Sequence, residues 1–204
     1  MINCSEKELL LYAVTDRHWL GEETLYDQVK KALDGGATFV QLREKNLDRE
    51  VFLAEAKEIQ KLCKEYGVPF VVNDEVSIAK DIDADGVHVG QSDMEAMDVR
   101  KILGPDKIIG VSAQTVEHIN RISIYLTTGS KDDADDVSHE TLKAICEAVS
   151  IPVIAIGGIT KDNVAELAGS GICGVAVISA IFGQKDIQKA TEELKFSVEN
   201  MLDA

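Results

Sequence analysis

Residues 39–74 read FVQLREKNLDREVFLAEAKEIQKLCKEYGVPFVVND, and this stretch decides the fold class. Two apolar runs bound it, Phe39–Arg43 and Phe70–Asn73. Between them Asp48 is a candidate N-cap and Gly67 a candidate helix stop. The apolar residues of the intervening segment recur at helical spacing: Phe52, Ala56, Ile59 and Cys63. The stretch therefore predicts a strand, an amphipathic helix and a second strand, the repeating unit of a parallel α/β sheet.

Runs of the same kind recur along the whole chain. Several are continuously apolar, as expected of parallel strands that are covered on both faces. Eight strands that alternate with helices favour a closed (β/α)8 TIM barrel; an open doubly wound sheet is the rival, but no Gly-x-Gly-x-x-Gly turn follows the first strand. The eight candidates are Leu10–Val14, Phe39–Arg43, Phe70–Asn73, Gly86–Val89, Ile108–Ser112, Ile122–Leu126, Val153–Ile156 and Val175–Ile178.

One unit of this pattern is short. Gln114–Arg121, eight residues, separate the fifth candidate strand from the sixth. A parallel crossover with its helix usually needs at least about 10–12 residues. We therefore expect either a stub in place of the fifth helix or an abnormal sixth strand, with unpaired strand edges beside it. Later helices are predicted to begin at Ser138 and at Thr160.

Length and charge limit the class of protein. The chain has 204 residues and no composition shift, so one barrel domain is predicted over residues 1–204. Its net charge of −15 argues against nucleic-acid partners, because an acidic surface repels phosphates. No apolar run approaches the roughly 20 residues of a membrane-spanning helix. The spacing of its four cysteines indicates buried structural thiols, which fits a reduced, cytoplasmic protein.

Reactive groups of a TIM barrel cluster where its strands end. At the end of the second strand, Gln41, Arg43 and Lys45 are two residues apart and point to one side. They are either a solvated strand end or a cationic site, and a bound polyphosphate would compensate cations that are buried there.

Two carboxylates follow the next strands, Asp74 after the third and Asp93 after the fourth. They could share a Mg²⁺ that also binds phosphate oxygens. Each also precedes a helical pattern, and Asp is a preferred N-cap, so helix capping is an equal alternative. Within the fourth strand, His88 is interpreted as a hydrogen-bonded structural histidine.

The remaining strand ends carry small, hydroxyl-bearing and glycine residues. Ser112 closes the fifth strand, and Thr127–Lys131 forms a hydroxyl-rich turn with a lysine after the sixth. Gly157-Gly158 and Ile178-Ser179 follow the seventh and eighth strands, where barrels of this kind often bind phosphate. Tight packing at the barrel rim would select the same glycines.

Taken together, these segments resemble the thiamin phosphate synthase family. They occur in family order and span nearly the whole chain. The matching segments are Gln41-Leu42-Arg43-Glu44-Lys45, Val72-Asn73-Asp74, Gly86-Val87-His88-Val89-Gly90-Gln91 with Asp93, Gly110-Val111-Ser112-Ala113, Thr128-Gly129-Ser130-Lys131, Ile156-Gly157-Gly158-Ile159 and Val177-Ile178-Ser179.

The resemblance implies a Mg²⁺-dependent transferase that condenses hydroxymethylpyrimidine diphosphate with a methylthiazole ethyl phosphate and releases diphosphate. It implies small-molecule substrates and a possible homo-oligomer. Asp74 and Asp93 would bind Mg²⁺. Residues implied in catalysis are Arg43, Lys45, Lys131 and Ser112. Residues implied in substrate binding are Gln41, Leu42, Arg43, Glu44, Lys45, Asn73, Ser112, Thr128, Gly129, Ser130, Lys131, Gly158, Ile178 and Ser179.

The departure from the family lies at the short unit, where residues 120–127 replace a glycine-rich sixth strand. Two alternatives therefore stay open beside the synthase. One is the thiazole tautomerase of the same superfamily, which would need neither the diphosphate-binding residues nor Mg²⁺. The other is a non-catalytic relative that binds phosphate, disabled by the shortened region.

Overall fold

Eight parallel strands form a closed barrel in the computed structural model, which describes residues 4–90, 96–113, 125–128 and 138–204. Each strand pairs with the next in chain order, and β8 pairs with β1. The predicted TIM barrel is confirmed. Its strands are β1 (Leu11–Val14), β2 (Phe39–Leu42), β3 (Phe70–Asn73), β4 (Gly86–Val89), β5 (Ile108–Ser112), β6 (Tyr125–Thr128), β7 (Val153–Ile156) and β8 (Gly174–Val177).

Helices cover the outside of the barrel. They are α1 (Leu25–Asp34), α2 (Arg49–Tyr66), α3 (Val76–Asp81), α4 (Ala96–Leu103), α5 (His139–Ala148), α6 (Ser179–Phe182) and α7 (Ile187–Leu202), with 3-10 turns at Arg17–Trp19 and Val164–Leu167. No helix of these described segments is long and apolar enough to cross a membrane.

Most predicted helix boundaries are confirmed. Asp48 caps α2 by accepting from the Glu50 N–H, and Gly67 ends it in the left-handed conformation at φ 66°. Ser138 caps α5 by accepting from the Thr141 N–H. The helix predicted after Thr160 is wrong, because its apolar pattern lasts for one 3-10 turn before Gly169 takes a positive φ of 73°.

The sixth strand begins three residues later than predicted and ends two residues later. It runs over Tyr125–Thr128 rather than Ile122–Leu126, so twelve residues, 113–124, separate it from β5. That length meets the lower limit for a parallel crossover. The expected unpaired edges are also wrong, because β6 pairs in parallel with β5 and with β7. The predicted stub helix falls on residues 114–121, which lie outside the described residues.

The barrel interior changes from apolar to polar towards the carboxyl ends of the strands. Residues in register on neighbouring parallel strands share a face, so Tyr12 and Phe39 both point inward, and their rings lie 4.4 Å apart. The same alternation carries inward a layer of buried polar side chains nearer the strand ends. That layer contains Gln41, Asn73 and His88, which are 2%, 4% and 1% exposed.

The other strand face packs against the helices. Helix α2 buries Phe52, Ala56, Ile59 and Cys63, as its sequence pattern predicts. Burying one such aliphatic or aromatic side chain contributes roughly 1.5–3 kcal/mol to stability. Cys63 and Cys4 are buried, as predicted, and burial raises the pKa of the Cys63 thiol to about 12, whereas Cys146 and Cys173 are only half-buried.

A candidate active site at the carboxyl end of the barrel

A cavity of about 400 Å³ opens at the carboxyl ends of four strands. It lies where TIM-barrel enzymes place their chemistry. The loops after β1 and β2 form one side of it, and the loops after β7 and β8 form the other. The lining residues are Asp16, His18, Trp19, Arg43, Ile156, Gly157, Gly158, Ile159, Ala176, Val177, Ile178 and Ser179.

Arg43 is the buried cation of this cavity. The residue is 8% exposed, and its Nη1 lies 3.0 Å from Asp16 Oδ2. Its backbone N–H donates to Thr15 Oγ1 over 2.9 Å. A buried guanidinium needs compensating partners, and its planar fork suits two phosphate oxygens at once. Arg43 therefore lies at the end of β2 and faces the cavity, as predicted.

Gln41 is buried one step deeper in the same strand. Its Nε2 donates to the Tyr12 hydroxyl over 2.9 Å, whereas its Oε1 is buried and finds no partner among the described residues. A buried polar atom without a partner costs about 1–3 kcal/mol. Gln41 can therefore accept a hydrogen bond from a ligand group that enters the barrel.

Three other residues of the predicted cationic strand end lie differently. Lys45 is exposed, and the Leu42 side chain belongs to the hydrophobic core. The Glu44 carboxylate accepts from Arg17 Nε over 2.7 Å, and Arg17 also binds Glu55. Burial raises the pKa of Glu44 above its usual value, although the pairing with Arg17 opposes that shift. Glu44 thus pairs with Arg17 through Oε2, while its Oε1 is buried and finds no partner among the described residues.

A second polar group comes from β3, β4 and β5. His88 Nε2 lies 3.0 Å from Ser112 Oγ, so His88 is hydrogen-bonded, as predicted. His88 is in register with Asn73 of β3, whose side-chain amide donates to the Asp74 carboxylate. Asn73, His88 and Ser112 are thus connected to the predicted metal-binding position at Asp74.

Asp74 has an uncommon backbone conformation. Its φ is 62°, in the left-handed region where non-glycine residues are rare, and its N–H donates to His88 O over 2.8 Å. The capping alternative is wrong for Asp74, because the N-cap of α3 is Glu75 and no side chain caps that helix. Such outliers cluster at functional sites. The carboxylate of Asp74 is exposed at the strand end, where a ligand can reach it.

The described segments contain no cluster of three or more His, Cys, Asp or Glu that could hold a metal ion. Asp93, the second predicted metal ligand, lies outside the described residues. Mg²⁺ is commonly held by one or two carboxylates together with substrate phosphates, so a single exposed carboxylate suits that binding mode.

The far side of the cavity is built largely from backbone. Gly157 has a φ of 116°, which side chains rarely tolerate, and Gly158 has a φ of 56°. Asn163 holds this turn by donating from Nδ2 to Gly158 O over 3.0 Å. Ile178 and Ser179 follow β8 beside it. The structure thus brings together Gly158, Ile178 and Ser179, as predicted, and places Arg43 in the same cavity.

Several predicted site residues cannot be placed. Gly129, Ser130 and Lys131 lie outside the described residues. The backbone of Thr128 closes β6, where it is in register with Ala155 of β7.

The sequence interpretation missed Asp16, His18 and Trp19. They follow β1, and the rule that reactive groups sit at strand ends would have found them if it had been applied to the first strand. His18 and Trp19 pack edge to face, with ring centroids 4.7 Å apart. Their 3-10 turn is fixed to α1, since Gln28 Nε2 donates to Trp19 O over 2.9 Å.

Comparisons with known proteins agree with this architecture. The family model described as thiamine monophosphate synthase matches residues 11–181. A thiamine-phosphate synthase of Clostridium tetani is 45% identical over 194 residues, which cover 90% of this chain and 93% of the relative. One from Ruminiclostridium cellulolyticum is 44% identical, with coverages of 93% and 95%. The solved thiamine phosphate pyrophosphorylase from Pyrococcus furiosus superposes with a TM-score of 0.90 at 40% identity, with coverages of 97% and 98%.

Proposed function

The chain belongs to the thiamine monophosphate synthase family, and on that premise we propose that it condenses hydroxymethylpyrimidine diphosphate with methylthiazole ethyl phosphate. The products are thiamine phosphate and diphosphate. The observation that carries the proposal is the cavity itself, in which a buried guanidinium, Arg43, faces the glycine turn Gly157-Gly158. Two phosphorylated substrates can be held there side by side.

The pyrimidine diphosphate is assigned to the β2–β3 side. Arg43 and Lys45 would bind the diphosphate, and Gln41 and Asn73 the pyrimidine end. The unpartnered Oε1 of Gln41 supports this orientation, because an aminopyrimidine has an N–H to donate and would satisfy that buried atom. Ser112, which lies next to His88, faces the same region.

The thiazole phosphate is assigned to the β6–β8 side. The backbone of Gly158 and the hydroxyl of Ser179 would bind its phosphate, and Ile178 would contact the ring. Thr128, Gly129, Ser130 and Lys131 complete this side in the proposal, with Lys131 also reaching the diphosphate. Glycine lets the backbone approach a ligand closely, which suits a phosphate-binding turn.

The reaction needs charge neutralisation and placement more than proton transfer. The bond between the pyrimidine methylene and the diphosphate oxygen breaks, and its electron pair leaves with the diphosphate. The electron-rich aminopyrimidine stabilises the methylene cation until the thiazole nitrogen supplies its lone pair to form the new C–N bond. Arg43, Lys45 and Lys131 would stabilise the charge on the leaving diphosphate, and the two halves of the cavity would keep the substrates in contact.

Mg²⁺ dependence is part of the proposal. Asp74 and Asp93 would hold the ion together with diphosphate oxygens, and bound Mg²⁺ would supply further neutralisation of the leaving group. The exposed carboxylate and the left-handed backbone of Asp74 support this role, since helix capping does not explain them.

The closed barrel bears on the alternatives. The argument for a non-catalytic relative is that the shortened region interrupts the sheet. Because β6 pairs with both of its neighbours, the sheet is not interrupted there. A thiazole tautomerase would need neither a diphosphate ligand for Arg43 nor a Mg²⁺ ligand such as Asp74. We further propose that the protein acts in the cytoplasm, consistent with its four free cysteines; a homo-oligomer also remains a proposal.

The test is product formation by the purified chain. With both substrates and Mg²⁺, we expect thiamine phosphate and diphosphate in equal amounts, measured by chromatography. Omitting either substrate, or adding a chelator, should abolish both products. Conversion of the thiazole phosphate alone, independent of Mg²⁺, would instead identify a tautomerase, and no conversion under any condition would contradict an enzymatic role.

A further inference from the structure

Asp16 lines the cavity, and both of its carboxylate oxygens accept hydrogen bonds. Asp16 Oδ1 accepts from the His18 N–H over 2.9 Å and so caps the 3-10 turn that carries His18 and Trp19. Asp16 Oδ2 accepts from Arg43 Nη1 over 3.0 Å. One side chain therefore connects the buried guanidinium of the site to the turn that forms the neighbouring part of the wall.

The backbone on both sides of Asp16 is also held by contacts that do not involve the Asp16–Arg43 ion pair. The Thr15 N–H donates to Gln41 O over 3.0 Å, and the Arg43 N–H donates to Thr15 Oγ1 over 2.9 Å. Arg17 uses Glu44 and Glu55 as its own partners. These contacts fix the β1 loop against the end of β2 whether or not residue 16 is charged. The Asp16–Arg43 pair is therefore not needed to place the loop, and its effect falls on the guanidinium.

A carboxylate beside a phosphate-binding arginine has two opposite effects. It fixes the plane of the guanidinium, which bidentate binding to phosphate requires. It also reduces the net positive charge that a bound diphosphate meets. Loss of the carboxylate would therefore leave the attraction for the substrate intact or stronger, while the orientation towards the breaking bond would be lost.

We propose that Asp16 is a positioning residue that holds Arg43 in the orientation which stabilises the leaving diphosphate. This role rests on the proposed function. It predicts a separation of kcat from KM that a merely structural residue would not produce, since a loosened loop would weaken binding and stability together.

Asp16→Asn is the informative variant, because the amide oxygen can still accept from the His18 N–H while the ion pair with Arg43 is lost. We expect kcat to fall about tenfold and the KM for the pyrimidine diphosphate to stay within about twofold or to decrease. Glu55→Gln is the matched control. It removes one acceptor of Arg17 in the same loop, it does not line the cavity, and it should leave kcat within about twofold of the unmodified chain.

A double-mutant cycle tests whether Asp16 acts through Arg43. In an Arg43→Gln background, Asp16→Asn should change kcat by less than about twofold, because there is no longer a guanidinium to orient. The positioning role would be overturned if Asp16→Asn still lowered kcat about tenfold in the Arg43→Gln background. It would also be overturned if Asp16→Asn alone left kcat equal to that of the unmodified chain, with or without a raised KM. Absence of turnover in the unmodified chain would overturn the proposed function and this role with it.

Discussion

The two sides of the cavity differ in what they present to a ligand. The side formed after β1 and β2, called here the charged wall, contains the ion pair of Asp16 and Arg43, and Asp74 lies at the end of the neighbouring strand β3. The side formed after β7 and β8, called here the glycine wall, consists of Gly157, Gly158 and Ile178-Ser179. The first offers side-chain charges, and the second offers backbone and one hydroxyl.

The difference shows how each wall depends on its surroundings. Arg43 forms an ion pair with Asp16, so a change of charge or shape at either residue alters the cation that a ligand would meet. The glycine wall keeps its shape through backbone conformations that other residues tolerate poorly, so its sensitivity lies in the addition of a side chain. Substitutions in the two walls should therefore fail in different ways.

The largest effect is expected for Arg43→Lys. The charge remains but the planar fork is lost, so kcat should fall about 100-fold while the KM values change little. Steady-state kinetics with both substrates measure this. Lys101→Arg, at an exposed ion pair on α4, is the control and should have no effect. A kcat for Arg43→Lys equal to that of the unmodified chain would remove Arg43 from the leaving-group site.

The next effect is expected for Asp74→Asn, at the end of β3 beside the charged wall. Loss of a carboxylate ligand should raise the Mg²⁺ concentration needed for half-maximal activity about tenfold or more, without unfolding the protein. Titration of activity with Mg²⁺ measures this. Asp81→Asn removes an exposed carboxylate at the end of α3, paired with Arg49 of α2, and should leave the titration unchanged. Identical Mg²⁺ curves for Asp74→Asn and the unmodified chain would show that Asp74 binds no metal.

In the glycine wall, Gly157→Ala should act through the backbone. At a φ of 116° an alanine is strained, and we expect a loss of about 1–3 kcal/mol in the free energy of unfolding. Gly158→Ala, at a φ of 56° with open space around its new Cβ, should cost less. Chemical denaturation of both variants checks the order, and equal stabilities would refute the strain at Gly157.

The smallest effect is expected for Ser179→Ala. Ser179 is exposed, so loss of the proposed hydrogen bond from its hydroxyl to a phosphate should cost about 1.5 kcal/mol, the low end for a charged acceptor. The KM for the thiazole phosphate should rise by no more than about tenfold, with stability and the KM for the pyrimidine diphosphate unchanged. A larger rise for the pyrimidine diphosphate would reverse the assignment of the two walls.

Sequence pattern alone located most of the barrel, and its failure at β6 has a physical reason. Ile122 and Ile124 alternate with polar residues, which satisfies strand periodicity, but periodicity carries no information on register. The position of β6 is decided by its pairing, which places Tyr125 opposite Gly110 and Leu126 opposite Val153.

The site residues were predictable where a polar side chain lies at the end of a strand or directly after it. Gln41, Arg43 and Asn73 are buried polar residues at strand ends, and their spacing indicates as much. The role of Asp16 was not predictable, because its partner Arg43 lies 27 residues away and their meeting depends on the pairing of β1 with β2. The left-handed conformation of Asp74 was not predictable either, since it occurs together with a hydrogen bond from the Asp74 N–H to His88 O of the neighbouring strand.

The assignment of one substrate to each wall is tested most directly by the KM values of both substrates in Arg43→Gln and Gly158→Ala. We expect Arg43→Gln to raise the KM for the pyrimidine diphosphate about tenfold and to leave that for the thiazole phosphate within about twofold. We expect Gly158→Ala to do the reverse, because its new Cβ would enter the cavity beside the thiazole phosphate. If both variants raise the KM of the same substrate, the two walls do not divide the substrates between them.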